Sequence, residues 1–161
     1  MKKWMMMALL AALASAASGN PGGKMAVTSS LDVATKAGKV LVTVRVENHT
    51  DKPVYVPRSV YEDDELFRRE FDVRDSAGAE VPYIGPMVKR GPYTRDDYLA
   101  VKPGAKVSNT IDITRSYDFR KGMHTYTVSY GGGPVADLAR LDNPVPAARP
   151  VGPVPLTFTG K

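Results

Sequence analysis

The chain has no cysteine and only two histidines, His49 and His124, among its 161 residues. Without cysteine no disulfide can form, so hydrophobic burial has to hold the fold together. Thiol nucleophiles and cysteine-rich zinc sites are excluded by the same absence. Neither histidine is followed by glutamate, so the H-E-x-x-H helix of zinc peptidases is missing, as is a G-x-S-x-G nucleophile elbow. Aromatic residues are modest in number and form no basic–aromatic stripe, and the net charge of +5, or +3 once Lys2 and Lys3 are set aside, is too small to imply nucleic acid.

At the N-terminus, Lys2 and Lys3 precede an apolar run from Trp4 to Ala14, and Ala14-Ser15-Ala16 is a small-x-small cleavage site. That order reads as a secretory signal peptide over residues 1–16, and the run is too short to span a bilayer. An uncleaved N-terminal anchor is the alternative. A short, Ala-rich signal with a Lys-Lys start suits a bacterium, which predicts a periplasmic or extracellular protein. No stable membrane insertion is expected after cleavage, and without cysteine there is no lipoprotein anchor. Residues 17–25 read as a flexible lead-in, and residues 26–161 as a single domain. The lead-in carries "GNPGGKM", a distant echo of a phosphate loop that lacks the Ser or Thr after the lysine.

Within the domain the dominant signal is alternation. In "GKVLVTVRVEN", Val40, Val42, Val44 and Val46 share one face, and Lys39, Thr43, Arg45 and Glu47 the other. "NHTDKP" is a turn cluster; Asn48-His49-Thr50 fits a glycosylation sequon but is expected to be a turn. Residues 71–83 predict a hairpin with its turn at Asp75–Gly78, and "KPGAK" a type II turn on Gly104. Further strands are predicted at residues 107–114, 122–130 and 154–158. Short helical turns are predicted within 61–69 and at 135–141, the latter inside a Gly/Pro-rich excursion at 131–152. The sum is an all-β, antiparallel, immunoglobulin-like sandwich of roughly eight or nine strands with one or two short helical turns.

Candidate chemistry is sparse. Asp63-Asp64 and Asp96-Asp97 are adjacent pairs, and neighbours on a strand point to opposite faces. The acidic run Glu62–Glu65 contains oxygen ligands that calcium accepts, but it lacks the spaced loop pattern and reads as a solvated helix start. His124 reads as a packed or edge histidine and His49 as a solvent-facing turn residue. No catalytic residue, metal ligand or cofactor is predicted. The segment from Tyr83 to Gly104 interrupts the alternation with Gly-Pro kinks, a Lys89-Arg90 pair and an Asp96-Asp97 pair. Loops on rigid sandwiches carry function, so Lys89, Arg90 and an exposed Tyr93 are the candidate partner-binding residues. The competing expectation is that these cations pair with Asp96 and Asp97 while Tyr83 and Tyr98 pack inward.

The stretch "FDVRDSAGAEVPYIGPMVKRGPYTRDDYLAVKPGAKVSNTIDITRSYDF" resembles the β-sandwich domain that precedes the catalytic domain in deuterolysin-like (aspzincin) metallopeptidases of the peptidyl-Lys type. The matching positions are Val81, Tyr83, Gly85, Pro86, Lys89, Arg90, Asp97, Tyr98, Pro103, Gly104, Tyr117 and Asp118. Tyr93 departs from the pattern by separating Pro92 from Thr94. The likeness extends upstream through "LVTVRVENHTDKPVYV" and downstream to "YTVSY". It implies a sandwich fold and carries over no catalytic residue, because the zinc motif of the family's catalytic half is absent from the sequence. The expectation is therefore an exported, non-catalytic, metallopeptidase-related module that binds a protein. A separate exported protease is the partner implied, with this chain its inhibitor or folding partner. A structural or envelope-stress protein without a dedicated ligand is the alternative, and a peptidase the least favoured.

Overall fold

The computed structural model describes residues 26–161; the signal peptide expected over 1–16 and the lead-in at 17–25 lie outside the described residues. Among the described residues eight strands form, all paired antiparallel: β1 (Val27–Lys36), β2 (Lys39–Asn48), β3 (Val54–Pro57), β4 (Phe71–Asp75), β5 (Tyr98–Val101), β6 (Lys106–Asp112), β7 (Gly122–Tyr130) and β8 (Val151–Gly160). One sheet has the order β1-β2-β6, the other β4-β7-β8, and β3 and β5 make a separate ribbon. This is the strand order of an immunoglobulin-like sandwich, A-B-E against C-F-G. The Tyr126 hydroxyl in β7 accepts a hydrogen bond from the Arg120 amide at 3.1 Å, closing the corner before that strand as a tyrosine corner does.

Period-two alternation puts the core where the sequence places it. Val40, Val42, Val44, Val46 and Ile111 from one sheet meet Phe71, Val73, Tyr126, Val128 and Phe158 from the other in one buried cluster. Phe119, in the connection between β6 and β7, stacks edge-to-face on Tyr126 and Phe158, with ring centroids 5.0 and 5.2 Å apart. Such contacts add to the area term that drives the two sheets together.

Asn48, at the end of β2, is wholly buried and has every polar group occupied. Its Nδ2 donates to the carbonyls of Lys52 (2.8 Å) and Val101 (2.9 Å), and its Oδ1 accepts from the Thr50 amide (3.0 Å) and hydroxyl (2.7 Å). Its own amide donates to the Ala105 carbonyl (2.9 Å), and its carbonyl accepts from Gly104 (2.8 Å). One side chain thus ties β2 to the turn after it and to β5. The Pro103-Gly104 turn forms as expected, with Gly104 at φ 73° and Ala105 donating to Lys102 at 3.0 Å.

Several elements differ from the sequence reading. The helical turn, α1 (Arg58–Tyr61), precedes the acidic run instead of containing it. It stops because Asn109 Nδ2 in β6 takes the carbonyls of Val60 (2.9 Å) and Asp63 (2.5 Å), which turns the backbone toward the sheet. The helix expected at 135–141 does not form. Val135 exchanges hydrogen bonds with Tyr55 of β3 (3.0 and 2.8 Å), and Ala136 donates to Val145 (2.9 Å), so those backbone groups are spent in bridges. The hairpin after β4 closes at Gly78, but its return arm is only a bridge. Val81 donates to Val73 (2.8 Å), and then Pro82, without an N–H, ends the ladder. Finally, β1 is a full strand that the polar sequence concealed, joined to β2 through Ala37 and Gly38 at φ 52° and 71°.

Two stability predictions follow from this geometry. A two-residue hairpin turn with both φ values positive favours Asn-Gly, and alanine is strained there. Ala37→Asn is expected to raise stability by about 0.5–1 kcal/mol, read as a higher urea midpoint at unchanged slope. Asn48→Ala leaves buried carbonyls and an amide without partners and should cost about 3 kcal/mol in the same measurement.

Candidate binding site

The segment between the return arm and β5 is built on tyrosines. Tyr117, buried between the sheets, donates its hydroxyl proton to the Phe71 carbonyl (2.6 Å) and accepts from the Phe71 amide (3.1 Å). Tyr83 stacks edge-on against Tyr117 with centroids 5.4 Å apart, and its hydroxyl reaches the carbonyls of Leu66 (3.2 Å) and Pro86 (2.8 Å). Ile84 and Gly85 donate to Ser116 (2.9 and 3.2 Å), and Val88 donates to Phe67 (3.0 Å). These bonds hold the backbone on the outside of the sandwich and turn its side chains to solvent. Phe67 is 38 % exposed, Ile84 60 %, Met87 79 % and Val88 52 %.

Beyond Val88 the chain passes through Lys89 and Arg90 into a short 3-10 turn over Arg95–Asp97. Asp97 caps that turn, accepting from the Thr94 amide (2.8 Å) and hydroxyl (3.1 Å), and Arg90 pairs with it at 3.2 Å. The Thr94 amide holds the Asp97 carboxyl below the ordinary carboxylate range; partial burial opposes this, and the Thr94 hydroxyl, Arg90 and Arg68 reinforce it. Of the two ion pairs that the sequence allowed, only Arg90–Asp97 forms; Asp96 offers its backbone carbonyl to Arg58 (2.8 Å), and Lys89 stays in solvent without an ion-pair partner among the described residues. Tyr83 and Tyr98 pack inward, as the competing expectation held.

Tyr93 corrects the sequence reading, which had it exposed. It is half-buried, its ring 5.9 Å from that of Tyr98, with the Arg68 guanidinium 4.7 Å above its centroid. It stands where three concavities adjoin: one beside Arg90 and Asp97, one beside Leu138 and Leu141, and one against the end of β7. Arg90 and Tyr93 are thus brought together in the lining of the first of these concavities, whereas Lys89 lines none of the three.

The concavity at the end of β7 is a cleft of about 290 Å³ that sequence reasoning missed. Its walls come from Arg68, Glu70, Tyr93, Tyr98 and Tyr130, from the Gly131–Gly133 run, and from prolines of the excursion. Arg68 Nε is bonded to Glu70 Oε1 (2.6 Å), which also accepts from Ser59 (3.1 Å). The Tyr130 hydroxyl is buried and makes no hydrogen bond among the described residues. Burial pushes its phenol well above the ordinary tyrosine value; Tyr61 and Glu70 add to this, and Arg68 works against it. It is a neutral donor with nothing to donate to. A wider concavity of about 870 Å³ opens near Ala37–Lys39 and Arg115–Phe119. Its Asp112 is already bonded to Lys39 (3.1 Å) and Thr114 (2.5 Å), and its buried Tyr117 to Phe71.

No group of three or more His, Asp or Glu side chains is placed to hold a metal ion among the described residues. His124 contacts the Lys121 carbonyl at 2.9 Å and His49 faces Glu47 at 3.4 Å, at separate places in the fold. In the acidic run, Glu62 is tied to Arg58 at 2.7 Å. No helix among the described residues is long and apolar enough to cross a membrane. A scan against protein-family models gives no match, and a search of curated proteins gives none either.

The two buried phenols should respond oppositely to loss of their oxygen. Tyr117→Phe strands the Phe71 amide and carbonyl and is expected to lower stability by about 2 kcal/mol, whereas Tyr130→Phe removes an unpaired hydroxyl and should leave stability unchanged or slightly raised. Paired urea titrations read both.

Proposed function

We propose that this chain is an exported, non-catalytic β-sandwich module that binds a protein partner through the Phe67 and Ile84–Arg90 surface. The observation that carries the reading is the exposed apolar run Ile84, Met87 and Val88 beside Phe67, on a backbone fixed by hydrogen bonds rather than left loose. Contiguous apolar side chains held outward on a rigid frame mark interaction surfaces. Lys89 and Arg90 adjoin them, and Lys89 has no carboxylate of its own among the described residues. Apolar anchors beside an unpaired cation suit a partner that presents apolar side chains flanked by carboxylates. The resemblance to the accessory domain of aspzincin peptidases makes an exported metallopeptidase the partner of choice. Binding would act on that enzyme's folding or access, since this chain brings no zinc motif of its own.

Immobilised full-length chain, exposed to the exported fraction of its own cells, is expected to retain a metallopeptidase. The double variant Lys89→Ala, Arg90→Ala should weaken that retention by about tenfold, and so should raised salt, because rim charges steer association and are screened. Equal retention of the peptidase by the double variant and by Met87→Asp would remove this surface from the interaction.

A further inference from the structure

Between bends at Gly85 and Pro92 the chain runs from Pro86 to Gly91 without a turn, and Pro86–Pro92 are all exposed. Six extended residues reach about 20 Å. The run is pinned at both ends. Before it, Tyr83 donates to the Pro86 carbonyl (2.8 Å) and Gly85 to Ser116 (3.2 Å). After it, Arg90 pairs with Asp97 (3.2 Å), and the Tyr93 ring lies 5.9 Å from that of Tyr98. In the middle the Val88 amide faces inward, to Phe67 (3.0 Å). Backbone groups of an extended chain alternate in direction, so those of Met87 and Lys89 face outward. Their amides make no hydrogen bond among the described residues. Lys89 is exposed, has no carboxylate partner among the described residues and lines none of the concavities around Tyr93.

An extended backbone with outward amides and one projecting cation is what the substrate cleft of an endopeptidase takes. Main-chain bonds hold the peptide, and an acidic pocket reads the cation. What separates an inhibitor from a substrate is the fate of the bond. Here both sides of the Lys89–Arg90 bond belong to one folded unit: β2 pairs with β6, β3 with β5 and β4 with β7, each pair joining a strand before the bond to one after it. Hydrolysis would put a hydroxyl on the Lys89 carbonyl carbon and a proton on the Arg90 nitrogen, but neither end could leave. The new amine would stay beside the new carboxyl group, and loss of water would rejoin them.

We infer that Pro86–Gly91 is a substrate-like inhibitory segment: it occupies the cleft of an endopeptidase specific for cationic side chains, with Lys89 in the specificity pocket. The inference rests on the partner surface proposed above and specifies how that surface engages a peptidase, by blocking the active site rather than by aiding folding. A backbone already held in the bound shape loses little entropy on docking.

The test uses trypsin, whose pocket carries a carboxylate, and chymotrypsin, whose pocket is apolar. The full chain is expected to inhibit trypsin reversibly, read on a chromogenic lysine substrate. Mass spectrometry should find its Lys89–Arg90 bond cut far more slowly than in the free peptide of the same sequence. Lys89→Ala should weaken inhibition at least about thirtyfold, the size of a hot-spot side chain. Lys89→Phe should lose trypsin and gain chymotrypsin, an exchange that a misfolded variant cannot produce. The inference is overturned if trypsin is unaffected, if folded chain and free peptide are cut equally fast, or if Lys89→Phe inhibits trypsin as well as the unchanged chain does. The retention experiment above is read separately. A metallopeptidase retained through Met87 with trypsin unaffected refutes the substrate-like mode alone; trypsin inhibition with no metallopeptidase retained refutes the proposed partner and supports the mode.

Discussion

The Tyr117 hydroxyl, bonded to both backbone groups of Phe71, is the constraint on which the outer architecture rests. Phe71 opens the edge strand of one sheet, and Tyr117 belongs to the connection that leaves the other. Joining them fixes where Tyr83 can stack, and Tyr83 in turn holds the carbonyls of Leu66 and Pro86. Two chain segments that belong to neither sheet acquire a single shape in this way. With no disulfide available, buried phenols linking backbone to backbone do the work of cross-links, through enthalpy in the folded state rather than through entropy in the unfolded one.

Both candidate sites grow from that frame. The Phe67–Val88 contact puts apolar side chains outward. One residue on, Arg68 covers Tyr93 and salt-bridges Glu70, forming the wall of the cleft. The excursion after β7 supplies the opposite wall and is itself pinned to β3 through Val135 and Tyr55. Neither site lies on a free loop. Each is made of irregular backbone whose hydrogen bonds are largely spoken for, which keeps the entropy of ordering on binding small.

Alternation made the sheets legible. The valines of β2 and the Ile111, Ile113 pair announced a half-buried face, and Tyr126 and Val128 announced its counterpart, because strand periodicity needs only local sequence. The helical turns were misplaced for a non-local reason: Asn109 in β6, far along the chain, decides where α1 stops. Strand β1 escaped because Thr28, Ser30 and Asp32 face solvent while Val27, Ser29 and Val33 are only half-buried, leaving a weak pattern. At the sites, the Arg90–Asp97 pair was readable from proximity in sequence. The cleft was not, since Arg68, Tyr98 and Tyr130 come from three distant places and meet only once the ribbon of β3 and β5 is set beside β7. The run Gly131–Gly133 was its one local sign, and it looks like an ordinary linker.

Asn48 carries a consequence for how this protein can be made. It stands in an Asn-His-Thr sequon, yet its amide nitrogen is fully buried with both hydrogens engaged, at Lys52 and Val101. An oligosaccharide on that nitrogen has no room in the folded chain and would displace both bonds. In a host that glycosylates nascent chains, sugar and fold compete for the same atom. Any glycosylated fraction would mark molecules caught before β2 met β5, so the sequon works as a recorder of failed folding rather than as a site of decoration.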